Sequence, residues 1–239
     1  MKRFHLSKHT FLLATALSLV LMTAQAASAV SLNEHTWKIV KSPNGSFHNN
    51  FLNGVAPISK HDAWAVGANY TGNDGPPLQA LIEPWNGSQW SVVHSTNVGT
   101  HDNIQIGATA VSANDVWTDG FFNDRNNMPH TFIEHWNGKK WNVVPSPNVG
   151  LNNVLVSMVA VSASDIWTVG DIFPASGIVQ PLMEHWNGSQ WSVVQTPNIG
   201  SGGHFFQYVA ADSANDLWAV GAYINNAKGQ QNTLIEHCC

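Results

Sequence analysis

The sequence predicts an all-β protein, a β-propeller of four-stranded antiparallel blades. A segment with the pattern Asp-x-Trp recurs about every 50 residues, at Asp62, Asp115, Asp165 and Asp216. The 11 tryptophans all fall into three columns of this repeat. An Asn-Gly pair also recurs between two Trp-containing apolar runs. Four short strands in about 50 residues are typical of a propeller blade.

Each unit is expected to contain four strands, which we name a to d. In the third unit, strand a is the apolar stretch 158–161 and strand b runs over 165–170. Strand c is "PLMEHW" and strand d is "QWSVV". The sequence "SAND" or "SASD" predicts the a-to-b turn, because short oxygen-bearing side chains bind nearby backbone N–H groups. Asn-Gly predicts a type I′ turn that joins c and d as a hairpin.

The repeat domain is predicted to cover residues 30–239, with units at about 47–93, 98–144, 149–194 and 200–237. Residues 36–41 read as a strand d without its unit, whereas the last unit shows Cys238 where the others have Trp. The sequence allows two arrangements. Residues 36–41 could pair with 233–237 and close a ring, or the blades could form an open, truncated arc.

Residues 1–29 are predicted to be a secretory signal peptide. Lys2, Arg3 and Lys8 precede an apolar run over 11–22, and "ASA" before Val30 suits signal-peptide cleavage. The apolar run is shorter than the roughly 20 residues that cross a bilayer. We therefore expect a secreted protein with no membrane insertion after cleavage.

The charge pattern argues against a nucleic-acid partner. Charged residues make up only 10% of the chain, against roughly 25% in typical domains. Without residues 1–29, seven basic residues face 15 acidic ones, and Arg125 is the single arginine. Nucleic acids and anionic membranes need clustered Lys and Arg. Two adjacent cysteines at 238 and 239 provide no disulfide framework.

The unit resembles a kelch-type blade. The parts that carry the resemblance are "DIWTVG", "EHWNGSQWSVV" and "TPN", although the kelch double glycine is absent. It resembles more closely the tandem "EHWNG" repeat proteins that bacteria export, and the similarity covers residues 36–237. This resemblance implies a propeller-like fold and says almost nothing about activity.

Most repeated polar and aromatic residues are expected to build the scaffold. Burying one indole removes roughly 150–250 Å² from water, so the Trp columns are interpreted as core. The repeated His135, His185 and His237 lie on different blades, whereas zinc needs three or four converging ligands. The repeated glutamates at 83, 134, 184 and 236 are likewise interpreted as structural. We predict no metal site and no cofactor.

The candidate ligand-binding residues lie where the copies differ. The b-to-c and d-to-a connections vary freely and should emerge on one face, which we call the variable-loop face. Two further candidates are acids at positions where other copies have an aliphatic residue, either from repeat decay or as functional exceptions. Asp212, which lies on an inner strand, is expected at the central channel. The loop candidates are His48, His101, Asp102, Asp124, Arg125 and His204, and the two acids are Asp119 and Asp212.

The sequence therefore predicts a secreted, non-catalytic propeller that binds an extracellular glycan or protein. A sialidase-like exported hydrolase or lyase is the alternative, although one arginine is few for recognising a carboxylate sugar. An inactive truncated fragment is a further alternative. Local signatures of a catalytic nucleophile with its base, or of a phosphate-binding loop, do not occur in the sequence.

Overall fold

A computed structural model describes residues 36–44, 49–70, 77–197, 199, 202–225 and 229–238. The predicted signal peptide and its cleavage site lie outside these residues, as does His48. The chain divides into two units, Met1–Ile39 and Val40–Cys239. In the described part of the first unit, residues 36–39 form no strand, and the side chains of Trp37 and Ile39 are fully exposed.

The second unit is all-β, and its strands form four antiparallel sheets that are blades of a β-propeller. Blade 1 contains β1 (Asn50–Ser59), β2 (Asp62–Tyr70) and β3 (Leu78–Trp85). Blade 2 contains β4 (Asn103–Ser112), β5 (Asp115–Asn123), β6 (Pro129–Trp136) and β7 (Trp141–Val143). Blade 3 contains β8 (Asn153–Ser162), β9 (Asp165–Ile172), β10 (Gln180–Trp186) and β11 (Trp191–Val193). Blade 4 contains β12 (His204–Ser213), β13 (Asp216–Asn225) and β14 (Gln230–Cys238).

Strands within each blade pair in sequence order, as predicted for a meander. The strand a of each blade, namely β1, β4, β8 or β12, is the innermost strand, and consecutive inner strands are neighbours. In blade 1, strand d is reduced to the isolated bridges Ile82–Val93 and Trp85–Trp90. The predicted unit limits and the pairing of 36–41 with 233–237 stay predictions.

Tryptophans from strands c and d of one blade pack on the strand-b tryptophan of the preceding blade. The indole of Trp64 lies 5.1 Å from Trp136 and 5.2 Å from Trp141 between ring centroids. Trp117 makes the same contacts, at 5.0 Å with Trp186 and 5.8 Å with Trp191. These tryptophans are core between blades 1 and 2 and between blades 2 and 3, whereas Trp37 and Trp218 of the same columns are exposed. Each apolar cluster draws on two adjacent blades.

The glycine in strand b is required by the close pairing of strands a and b. A Cβ atom on Gly170 would lie 2.0 Å from the backbone oxygen of Val154, and one on Gly120 would lie 2.0 Å from that of Ile104. Gly67 and Gly221 meet the same obstacle. This steric limit accounts for the strand-b glycine in every copy of the repeat. The glycine lies within the strand, so the predicted end of strand b at Gly170 is two residues too early.

The c-to-d hairpins are not the predicted type I′ turns. Only the glycine of each Asn-Gly pair has a positive φ, for example 91° at Gly87, whereas type I′ needs positive φ at both residues. Four residues separate the paired tryptophans, and the side-chain oxygen of Asn86 accepts hydrogen bonds from the N–H groups of Ser88 and Gln89. The asparagine closes the turn with its side chain and also with its backbone, because the N–H of Asn86 donates to the carbonyl oxygen of Gln89 at 3.2 Å.

Candidate functional site: the central groove

A groove of about 610 Å³ runs along the inner strands of blades 1 to 4. We call it the central groove. Residues 53–55, 106–108, 156–158 and 205–208 line it, together with Asp171 from strand β9. Every inner strand therefore contributes to one continuous surface.

A β-bulge shapes each inner strand at the groove. The pairing of strands a and b skips one residue at the same place in all four blades, and a residue skipped in this way interrupts the ladder and redirects the strand. The four skipped residues are Asn53, Ile106, Val156 and Gln207. All four line the groove, and two of them carry side-chain amides.

Asp171 is the carboxyl group of the groove lining. Its Oδ1 accepts a hydrogen bond from the backbone N–H of Phe206, 3.2 Å away on the next blade. Burial raises the pKa of Asp171 to about 7, although this hydrogen bond acts in the opposite direction. Asp171 can therefore donate as well as accept a hydrogen bond near neutral pH.

Sequence reasoning missed Asp171, although the signal was present. Asp171 directly follows the strand-b glycine, where the other copies have Ala68, Phe121 and Ala222. Asp171 breaks an otherwise apolar column just as Asp119 and Asp212 do, but the predicted strand limits make it the first residue of a variable loop.

Three of the predicted loop residues meet in a second, smaller cavity. His101, Asp124 and Arg125 line a space of about 230 Å³ between the d-to-a loop before β4 and the b-to-c loop after β5. Both connections thus lie on one face, as expected. Asp124 is held by the N–H groups of Asn126 and Met128, and hydrogen bonding, chiefly from Met128, lowers the pKa of its carboxyl.

Two other predicted loop residues connect structural elements. Asp102 accepts hydrogen bonds from the backbone N–H of Leu78, at 2.7 Å, and from the side chain of Asn123, so it joins blades 1 and 2. His204 is buried at the first position of β12, where β4 and β8 begin with an asparagine. Burial lowers the pKa of His204.

Neither predicted repeat-breaking acid lies on the variable-loop face. Asp119 is fully buried and accepts hydrogen bonds from Thr168 Oγ1 at 2.5 Å and from the backbone N–H of Gly107 at 2.8 Å. It therefore joins blades 2 and 3. Asp212 is exposed at the second bulge of β12, beside the a-to-b turn, and is not part of the groove lining. An exposed bulge position accepts an acid at little cost, which explains this departure from the repeat.

The repeated histidines and two of the repeated glutamates, Glu83 and Glu134, have hydrogen-bond partners within the described scaffold. His135, His185 and His237 each lie 2.8–2.9 Å, through Nε2, from the repeat aspartate of their own blade. Glu134 accepts hydrogen bonds from Ser95, Gln105 and the backbone N–H of Thr96. In the described residues, no three His, Cys, Asp or Glu side chains are arranged to hold a metal ion.

Burial and the charge of Asp119 raise the pKa of Glu184 to about 8, with burial the larger cause. Ser146 lies near this carboxyl group but donates its hydroxyl hydrogen to Thr131 at 2.7 Å. Both oxygens of Glu184 are left without a hydrogen-bond partner. Glu184 and Asp119 thus form a buried acidic pair outside the groove lining.

No helix long and apolar enough to span a bilayer occurs in the described part of the chain. No protein-family model and no curated protein matches the sequence.

Solved structures do resemble the chain. The GH93 α-L-arabinofuranosidase of Fusarium graminearum in complex with arabinobiose matches with a TM-score of 0.56 and 10% identity, over 83% of this chain and 66% of that one. The same enzyme with an iminosugar inhibitor gives 0.54 and 11%, over 83% and 65%. YCF48 bound to a D1 peptide gives 0.46 and 13%, over 79% and 53%. The chain thus spans about half to two thirds of the length of these structures. At such identities the similarity shows the fold alone, a β-propeller.

Proposed function

We propose that this protein binds an uncharged, hydroxyl-rich glycan in the central groove, entering from the variable-loop face, and does not cleave it. The observation that carries the proposal is the groove lining, which combines amides, a hydroxyl and an aromatic ring with one carboxyl group of raised pKa. Among the residues that the structure describes, lysine and arginine do not contribute to this lining.

The polar groups of the groove suit sugar hydroxyls. Gln207 offers an amide donor and acceptor at its bulge, and the side chain of Tyr208 is 67% exposed beside it. Asn53 Nδ2 donates to the backbone oxygen of Gln105 at 2.9 Å, which orients the amide oxygen of Asn53 as a further acceptor. A carboxyl group with a pKa of about 7 supplies both a donor and an acceptor at neutral pH. Such a surface favours a neutral polar ligand over an anionic one.

The number of carboxyl groups supports binding without hydrolysis. Most glycoside hydrolases use a pair of Asp or Glu residues that flank the scissile bond. Among the described residues, Asp171 supplies the one carboxyl group of the groove lining, whereas Asp119 and Glu184, whose pKa values are also raised, are fully buried and are not lining residues. A protein ligand on the same face is the competing proposal.

The site of action is also a proposal. The predicted signal peptide and the resemblance to exported bacterial "EHWNG" repeat proteins support a role outside a bacterial cell, at its envelope or in the medium.

An array of neutral and anionic oligosaccharides, followed by calorimetry on the best neutral binder, tests the proposal. Gln207→Ala and Asp171→Ala should each weaken binding at least tenfold, and incubation should release no smaller sugars. Arg125→Ala, outside the groove, is the matched control and should bind normally. Loss of affinity only in His101→Ala or Asp124→Ala would move the site to the loop cavity, and released products would make the protein a hydrolase.

A further inference from the structure

His204 departs from the repeat at the first position of strand a. The other three blades begin this strand with an asparagine, at Asn50, Asn103 and Asn153. The side-chain oxygen of Asn103 accepts a hydrogen bond from the N–H of Val98 at 2.7 Å, and that of Asn153 accepts one from Val149 at 2.9 Å. Both amides thereby fix the d-to-a connection that precedes the strand. In blade 4 an imidazole replaces the amide.

The imidazole of His204 is buried where blades 3 and 4 meet. The residue is 6% exposed, and its Nε2 atom has no hydrogen-bond partner among the described residues. The backbone N–H of His204 donates to the carbonyl oxygen of Val179 at 3.1 Å, which joins the start of β12 to blade 3. Burial lowers the pKa of His204, although the backbone carbonyl of Pro197 acts in the opposite direction. The ring is therefore neutral at pH 7, and one of its polar atoms lacks a partner.

A cavity of about 460 Å³ borders this ring. Residues 178–181, where the b-to-c loop of blade 3 enters β10, form one side of it, and the d-to-a connection at 193–196 forms another. Small-molecule sites usually have volumes of roughly 300–1,000 Å³. Among the described residues, this lining and that of the central groove have no member in common. The cavity is therefore a separate site.

The lining of the cavity is mainly aliphatic and carries no charge. Ile172 is buried, whereas the side chains of Val149 and Ile178 are 40% and 46% exposed. Exposed apolar side chains beside a cavity are typical of a binding surface. The polar side chains of the described lining are those of Gln180, Gln195, Thr196 and His204. Such a cavity favours a neutral, mostly apolar ligand.

We propose that this cavity binds a small neutral molecule with one hydroxyl group on an apolar body, and that the hydroxyl group bonds to His204 Nε2. Phenols and cyclic alcohols have this chemistry. A hydroxyl group both donates and accepts, so it fits the ring nitrogen in either tautomer of the imidazole. The apolar body covers Val149 and Ile178 and removes their surface from water. This second site does not depend on glycan binding in the central groove.

A metal ion fits the cavity less well. Zinc and similar ions need three or four converging ligands, usually His, Cys, Asp or Glu. In the described lining His204 is the one residue of these four types. The unpartnered nitrogen therefore suits a ligand that needs a single hydrogen bond.

Two ligands that differ in one group test the role of the hydroxyl. p-Cresol and toluene share a methyl-substituted ring, and only p-cresol carries a hydroxyl group. We expect the protein to bind p-cresol at least about fivefold more tightly than toluene, because toluene leaves Nε2 without a partner. NMR titration measures both affinities. Long-range proton–nitrogen spectra of the histidine side chains should show a shift of the His204 Nε2 signal with p-cresol. 4-Methylcyclohexanol shows whether an alcohol binds as a phenol does, and a hydroxyl-dependent affinity for either supports the proposal.

Substitutions at His204 test the nitrogen. His204→Phe keeps an aromatic ring without a nitrogen, so the preference for p-cresol over toluene should be lost. His204→Asn restores the residue that begins strand a in the other blades and should therefore fold. We expect it to bind p-cresol at least tenfold more weakly. His101→Ala is the matched control, because this histidine belongs to the variable-loop face but not to the cavity lining, and it should bind both compounds as the parent chain does.

The outcomes that would overturn the proposal are distinct. Equal affinities for p-cresol and toluene in the parent chain would exclude a role for the hydroxyl group. Unchanged p-cresol binding in both His204 variants would exclude the imidazole. Binding that is lost in Gln207→Ala but not in the His204 variants would assign these compounds to the central groove. No binding of any of the three compounds up to their solubility limits would exclude the site itself.

Discussion

The imidazole of His135 stacks on the indole of Trp117, with 4.1 Å between ring centroids and 17° between planes. Both rings bond to one carboxyl oxygen, because Trp117 Nε1 donates to Asp115 Oδ1 at 2.8 Å and His135 Nε2 lies 2.8 Å from the same atom. Blades 3 and 4 repeat this arrangement. The repeated Asp, Trp and His are one structural unit that fixes the strand-b indole before the next blade packs on it.

Removing His135 should therefore destabilise the fold without affecting ligand binding. His135→Ala loses the stacking and the bond to Asp115, and we expect a cost of about 1–2 kcal/mol in the free energy of unfolding. His135→Phe keeps a stacked ring and should cost less. Urea unfolding followed by Trp fluorescence measures both. A larger loss in the Phe variant than in the Ala variant would contradict the stacking argument.

The tryptophans of strand d should differ in their contribution to stability. Trp141 is buried against Trp64 of the preceding blade, so Trp141→Ala should cost about 3–5 kcal/mol. Trp90 is only half-buried and contacts Trp85 of its own blade, so Trp90→Ala is the matched control and should cost less. Thermal unfolding of the two variants gives the comparison. Equal costs would mean that packing between blades does not set the stability.

The repeat predicted the blades well because its strongest signals are steric. The strand-b glycine follows from a close contact that recurs in every copy, and the Trp packing recurs between blades 1 and 2 and between blades 2 and 3. Strand a was harder to delimit. β8 covers Asn153–Ser162 instead of 158–161, because bulges at Val156 and Val161 interrupt the alternation of buried and exposed residues.

The candidate site was harder to predict than the fold. Bulge residues such as Gln207 reach the groove only through a local break in pairing, which a single sequence does not show. Among the predicted residues, Asp119 breaks the repeat, and the sequence allows it to be either a decayed repeat position or a functional exception. Its hydrogen bond to Thr168, 49 positions later, depends on how two blades pack.

Binding in the central groove should weaken as the pH rises through about 7. The pKa of Asp171 is raised to about 7, so below this value its carboxyl can donate a hydrogen bond, and above it the ionised group only accepts. We expect the affinity for a neutral oligosaccharide to be higher at pH 6 than at pH 8.5. Asp171→Asn, which remains a donor at both pH values, should bind with an affinity that no longer changes with pH. Titration calorimetry at the two pH values measures this, and an unchanged pH dependence in the Asn variant would argue against Asp171 as a ligand contact.

Stability should also fall as the pH rises from about 4 to about 8, because of the buried acidic pair. The pKa of Asp119 is raised from 3.8 to about 6 and that of Glu184 from 4.5 to about 8, in both cases chiefly by burial. At a pH between the pKa of the unfolded state and that of the folded state, the native protein holds protons that the unfolded chain has released. The free energy of unfolding therefore decreases as the pH increases. For Asp119 the full effect amounts to about 3 kcal/mol at most.

The double change Asp119→Asn and Glu184→Gln should flatten this dependence. An asparagine at 119 can still accept from the N–H of Gly107 and donate to Thr168 Oγ1, so the contacts between blades are kept. Asp212→Asn is the matched control, because Asp212 is exposed and its replacement should leave the slope as it is in the parent chain. Urea unfolding between pH 5 and pH 8.5 measures the three slopes. The prediction would be contradicted by a parent chain whose free energy of unfolding increases with pH. It would also be contradicted by a double variant whose free energy of unfolding falls with pH as steeply as that of the parent. Either result would show that these carboxyl groups are ionised at little cost within the fold.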